Sequence, residues 1–195
     1  MELALVLMIV LGPIAAVDGL YYHIYKMRLY RRRSARFENL THWYRAASYG
    51  FALWMLLHYA PAGGWYWLMV TVFALDFADD VLDIMLEPAS RAPLGGIPRT
   101  EYLIHMTSMA FTGGIAVVFL YAAWPLHAAP TALIAHGPDF MPAWLRVDGL
   151  LSVGGAAALG LFEISLSIRA YRNGDIDRAL PAPAIGLAAV GVPRA

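Results

Sequence analysis

Long apolar runs alternate with short polar ones along the chain. Five runs, at about residues 3–25, 43–60, 65–87, 101–124 and 147–168, approach the roughly 20 helical residues that cross a hydrocarbon core. The second is the shortest and would cross with little tilt. The pattern predicts an all-α integral membrane protein of five transmembrane helices. Residues 1–173 form a single transmembrane domain, followed by an Ala/Pro-rich cytoplasmic tail at 174–195. The first run carries Glu2 and no preceding basic residue, so it reads as a retained span and not as a signal peptide. The connection 125–146 holds four Pro and two His, with room for a short interfacial helix.

Basic residues orient the spans. Lys26, Arg28, Arg31, Arg32, Arg33, Arg36 and Arg45 lie at the connection between spans 1 and 2. Arg91 and Arg99 lie between spans 3 and 4, and Arg169, Arg172, Arg178 and Arg194 follow span 5. The opposite side has Arg146 alone. The expected topology therefore has the N-terminus outside and the C-terminus in the cytoplasm. Trp65, Trp67, Trp124 and Trp144 fall at the outer boundary, where interfacial aromatics belong.

Composition agrees. Hydrophobic residues make up 60% of the 195 positions and charged residues 14%, well below the quarter usual in soluble domains. No Cys is present, which excludes disulfide scaffolds, thiolate metal sites and a Cys nucleophile. Fourteen basic and fourteen acidic residues cancel, so nucleic acid is not an expected partner. The bias to Ala, Leu, Gly and Arg with a single Lys suggests a bacterial genome, and hence a multi-pass protein of the bacterial inner membrane.

Charges inside the spans point to function. Asp76, Asp80, Asp83 and Glu87 of span 3 fall within about 60° of one another at 100° per residue. Such a stripe must be neutralised by protons, arginines or metal ions. Span 2 is preceded by Glu38-Asn-Leu-Thr-His42, and span 4 opens with Glu101-Tyr-Leu-Ile-His105. Each Glu-x-x-x-His puts a carboxylate and an imidazole on one helical face. Span 1 supplies Asp18 and His23. An α-helix separates these two by 100° or more, so both reach one site only if the helix is distorted or the site is broad. All these groups lie toward the cytoplasmic ends of their spans.

Spans 1–2 and 3–4 repeat one order: an acid-bearing helix, a basic loop, then a Glu-x-x-x-His helix. Two similar hairpins would pack as a four-helix bundle. That logic resembles the di-iron and di-manganese carboxylate proteins, in which four helices supply carboxylates and Glu-x-x-His pairs, although the spacing here is i, i+4. The resemblance implies two divalent metal ions. The mixed His/carboxylate donors suit iron first, with manganese, zinc or magnesium as other candidates. The metal-ligand set is then Asp18, His23, Glu38, His42, Asp76, Asp80, Asp83, Glu87, Glu101 and His105. Tyr22 and Tyr49 are candidate proton or electron relays, with Arg45 beside them in the catalytic set. Arg91, Arg99 and Glu163 are candidate substrate contacts. A haem held by His42 and His105 would leave the acids unexplained and is not expected.

The segment Asp79-Asp80-Val-Leu-Asp83-Ile-Met-Leu-Glu87, followed by Arg91-Ala-Pro93-Leu94-Gly95-Gly96, resembles the first aspartate motif and following loop of UbiA-type prenyltransferases. Asp79 stands where that family usually has Asn. The second aspartate motif is missing, and the spans number about half of the family's. The resemblance implies magnesium and an isoprenyl diphosphate at these acids.

The expected function is thus a metal-dependent membrane enzyme oxidising or hydroxylating a lipophilic substrate, with a redox partner or a larger membrane complex around it. Alternatives are an accessory subunit of a membrane complex, a magnesium-dependent lipid-phosphate or prenyl transfer enzyme, and a metal or proton transporter. Transport is opposed by the nearly pure apolar character of the outer half-spans.

Overall fold

The computed structural model describes residues 1–177. The tail expected at 174–195, with Arg178 and Arg194, lies outside the described residues from position 178 onward. The chain is mostly helical. Helix α1 (Glu2–Val17) runs directly into a π-helical stretch, Asp18–Lys26. There follow α2 (Arg36–His58), strand β1 (Tyr59–Ala62), α3 (Gly64–Arg91), α4 (Arg99–Ala123), strand β2 (Ala132–Ala135) and α5 (Ala143–Arg172). Three helical segments, Glu2–Lys26, Arg99–Leu126 and Ala143–Arg172, are long and apolar enough to cross a membrane. Helices α2 and α3 have 23 and 28 residues, or about 34 and 42 Å at 1.5 Å per residue, and carry much of the in-helix charge.

The helices pack as a ring. Helix α1 lies against α4 and α5, α3 against α2 and α4, and α2 against α5. The expected bundle of spans 1–4 is therefore not the arrangement found, because α5 stands between α1 and α2 as an equal member. Small residues make room for it. A Cβ on Gly149 would come within 2.6 Å of Leu57, and one on Gly160 within 3.2 Å of Ala46.

The end of the ring remote from the Arg-rich loops is dry. Leu5 and Met8 of α1 meet Leu53 and Leu56 of α2, Tyr66, Met69 and Phe73 of α3, and Ile115 and Phe119 of α4. Phe119 lies 5.6 Å from the Tyr66 ring and 5.2 Å from Phe73. The connection 125–146 does not form the interfacial helix for which it had room. Instead β2 pairs antiparallel with β1, from Tyr59 opposite Ala135 to Ala62 opposite Ala132. Gly63, at φ +57°, makes the corner into α3, where a Cβ would lie 2.5 Å from the Ala129 carbonyl oxygen. The pairing satisfies backbone groups that Pro61 and Pro130 would prevent from joining a helix.

Candidate metal centre

Inside the ring is a cavity of about 620 Å³ that all five helices line. Toward the Arg-rich end its wall is polar, with Asp18, His23, His42, Asp80, Asp83 and His105. Away from that end it becomes an apolar arm between α1 and α5, walled by Gly12, Ala15 and Ala16 on one side and Leu151, Ala156 and Leu159 on the other.

The π-helical stretch explains how the first helical segment brings both of its candidate ligands, Asp18 and His23, to the cavity. Its backbone bonds run i to i+5, which widens the turn. Residues five apart then stand nearly above one another, where an α-helix would separate them by about 140°. His23 Nε2 consequently lies 3.4 Å from Asp18 Oδ2. Both residues are buried and both face the cavity.

Three imidazoles converge. The rings of His23 and His42 stack at 4.1 Å with 5° between planes, and His105 lies 5.8 Å from His23. His105 has carboxylates at both nitrogens: Nε2 is 2.8 Å from Asp18 Oδ2, and Nδ1 is in close contact with Glu87. An imidazole between two carboxyl groups needs a proton on each contact, carried by the ring or by a carboxyl group, or a metal ion in place of one. His42 lies 3.6 Å from both Asp83 and Glu163, and neither ring nitrogen has a hydrogen-bond partner among the described residues. His23 Nε2, Asp18 Oδ1 and Asp80 Oδ2 are likewise buried and unpartnered.

Three donor groups, each with atoms within 4.8 Å of one another, could hold a cation: Asp18, His23, Glu101 and His105; His23, Glu38 and His42; and Asp83, Glu87 and His105. They share His23 and His105, so they form adjoining centres and not scattered ones.

Two arginines organise the surrounding acids. Arg91 is wholly buried and lies between the two Glu-x-x-x-His motifs, 2.6 Å from Glu38 and 2.5 Å from Glu101. The substrate contact expected of Arg91 is therefore replaced by a bridging one. Arg45 reaches Asp79, Asp80 and Asp83 at 3.1 to 3.3 Å. It also lines the cavity.

The remaining candidates divide. Thr41 donates to Asp83 at 2.9 Å and Ser48 to Asp76 at 2.7 Å, so Asp76 sits one step beyond the histidines in a hydroxyl-bonded position. Tyr49 lines the apolar arm and donates to the Met8 carbonyl at 2.8 Å. It lies seven residues, or about 10 Å along α2, from His42. Tyr22 does not line the cavity. Its hydroxyl donates to Thr100 at 2.6 Å, which ties the π-helical stretch to the start of α4. Arg99 is exposed and does not line the cavity. Glu163 belongs with the cluster through His42. Thr41, Ser48 and Asp79 were not anticipated as partners. The available signal was that Thr41 and Ser48 stand three residues after Glu38 and Arg45, on the same polar stripe.

Comparison with protein-family models, curated proteins and solved structures gave no match.

Proposed function

We propose that this is a membrane-embedded, metal-dependent oxidoreductase acting on a lipophilic substrate. In this reading all five helices span a bacterial inner membrane, with the N-terminus outside and the metal centre near the cytoplasmic face. The observation that carries it is the convergence of three histidines and their carboxylates at one end of a cavity whose remaining wall is mostly apolar, with Asp148 and Ser152 of α5 as polar exceptions.

Charge supports a cation. Asp18, Glu38, Asp80, Asp83, Glu87, Glu101 and Glu163 are buried beside only two guanidiniums, those of Arg45 and Arg91, among the described residues. Even with His23, His42 and His105 all protonated, the seven carboxylates would outnumber the cationic groups beside them; a buried deficit is strongly unfavourable, and divalent ions would remove it. Two ions fit the adjoining donor groups, and iron fits the mixture of imidazole and carboxylate donors.

The chain's own residues would divide the work. Asp18, His23, Glu101 and His105 would hold one ion, and Asp83 and Glu87, sharing His105, would supply donors for a second. Arg91 would keep Glu38 and Glu101 at a set separation. The arm between α1 and α5 would take the substrate's apolar part and exclude water. Bound iron would supply dioxygen activation. Inserting one oxygen atom into a C–H bond, with the other released as water, consumes two electrons and two protons, so a redox partner is part of the proposal. Tyr49, at the arm, is placed to contact substrate.

The test is elemental analysis of untagged, detergent-purified protein. About two equivalents of iron or manganese are expected. Glu101→Ala and Glu38→Ala should each lower that content. Absence of bound metal, even after reconstitution, would overturn the reading and leave the cluster as a proton-handling or subunit-contact feature.

A further inference from the structure

A second crevice, of about 540 Å³, lies outside the ring at the Arg-rich end. It occupies a face of α2 roughly 100–160° round from His42. Helix α2 lines it with Arg36, Leu40 and Trp43, one stripe at i, i+4 and i+7. Helix α5 faces them with Ser167 and Tyr171, and Arg32 and Arg33 close the end.

Around the crevice three buried donors lack a partner against one buried acceptor, Asn39 Oδ1, among the described residues. Of its three arginines, Arg33 pairs with Asp177 at 3.4 Å. Arg32 and Arg36 form no ion pair among the described residues. Arg32 Nε, the Trp43 indole Nε1 and the Ser167 hydroxyl are buried and have no hydrogen-bond partner among the described residues. Buried donors are normally satisfied, so three unsatisfied ones around one crevice, beside two unpaired guanidiniums, call for an oxygen-rich anion. Phosphate suits the guanidinium fork.

The rim says which phosphate. Phe37, Leu40 and Tyr171 stand 68%, 52% and 80% exposed at the mouth. A soluble phosphate ester has no use for that apolar border, whereas an acyl chain lies along it. Basic pockets between helices at the cytoplasmic side are a known mode of headgroup recognition.

We infer that this crevice binds an anionic phospholipid. Arg32 and Arg36 pair with its phosphate, Trp43 and Ser167 donate to its oxygens, and its chains follow Phe37 and Leu40. The inference does not depend on the metal centre, which lies on the other side of α2.

The test is binding of dioctanoyl phosphatidylglycerol to the detergent-purified full chain, followed by native mass spectrometry. Saturable binding is expected, at least tenfold tighter than for dioctanoyl phosphatidylcholine or inorganic phosphate. The double variant Arg32→Gln/Arg36→Gln should weaken it at least tenfold. Trp43→Phe, which removes one donor and no charge, should weaken it several-fold, and serves if the double variant does not fold. Arg146→Gln, at the far end, should leave it unchanged. Equal binding of the two phospholipids, or full affinity in both crevice variants, would overturn the inference. Inorganic phosphate binding as tightly as phosphatidylglycerol would also overturn it, in favour of a soluble phosphate ligand.

Discussion

The two ends of the helix ring use the same five helices in opposite ways. Along α4, buried Glu101 and His105 give way to buried Ile115, Phe119 and Ala123. Along α3, buried Tyr66, Met69 and Phe73 give way to Asp80, Asp83 and Glu87. One end closes by dispersion between interlocked side chains and by the β1–β2 ribbon. The other is held open around a cavity by ion pairs and hydroxyl bonds. The dry end can be packed by any set of side chains of matching volume. The charged end has no such latitude, because each buried carboxylate needs a particular partner.

Perturbing the two ends separately breaks this comparison open. The largest effect is expected for His105→Ala, which removes the imidazole that joins Asp18 to Glu87. Metal content should fall at least tenfold by elemental analysis, and unchanged content would remove His105 from the centre. Arg91→Ala should come next. It leaves Glu38 and Glu101 buried without their guanidinium, a loss of about 3–5 kcal/mol visible as early thermal unfolding in detergent. Glu38→Gln/Glu101→Gln added to it should restore much of the loss.

At the dry end, Phe119→Ala should cost about 3–5 kcal/mol by opening a void beside Tyr66 and Phe73. Its metal stoichiometry should be that of the unaltered protein. Metal loss in this variant would mean that the two ends are coupled and that the contrast between them is superficial. The smallest effect is expected for Asp76→Asn, since Asp76 bonds Ser48 and stands away from the histidines. Asp80→Asn should lower metal content more. Equal losses would place the centre deeper toward the apolar arm.

Much of the charged end was legible along the chain because helical periodicity decides which residues share a face. The spacings of Glu38 to His42 and of Glu101 to His105 put each pair on one stripe, and all four side chains do face the cluster. The positions that were not legible have a common cause. Whether Asp18 or His23 would serve depended on local helix pitch, which residue spacing does not reveal. The π-helical stretch admits both. Arg91 lies in sequence where a substrate-binding loop arginine would lie, and only the packing of α3 against both α2 and α4 turns it into a bridge. Glu163 was expected as a substrate contact, with α5 outside the four-helix bundle. The close approach at Gly149 and Gly160 brings it to His42.

The sequence alone determined that the chain is helical and apolar, and that His23, His42, His105 and most of the in-helix acids collect toward one end. Those properties follow from composition and from a 3.6-residue period, and both are local. The tertiary structure decided which helices are neighbours, and therefore which charges meet. Five similar helices can close a ring in several orders. The order depends on where small residues let backbones approach, and on which buried charges find a partner when they do.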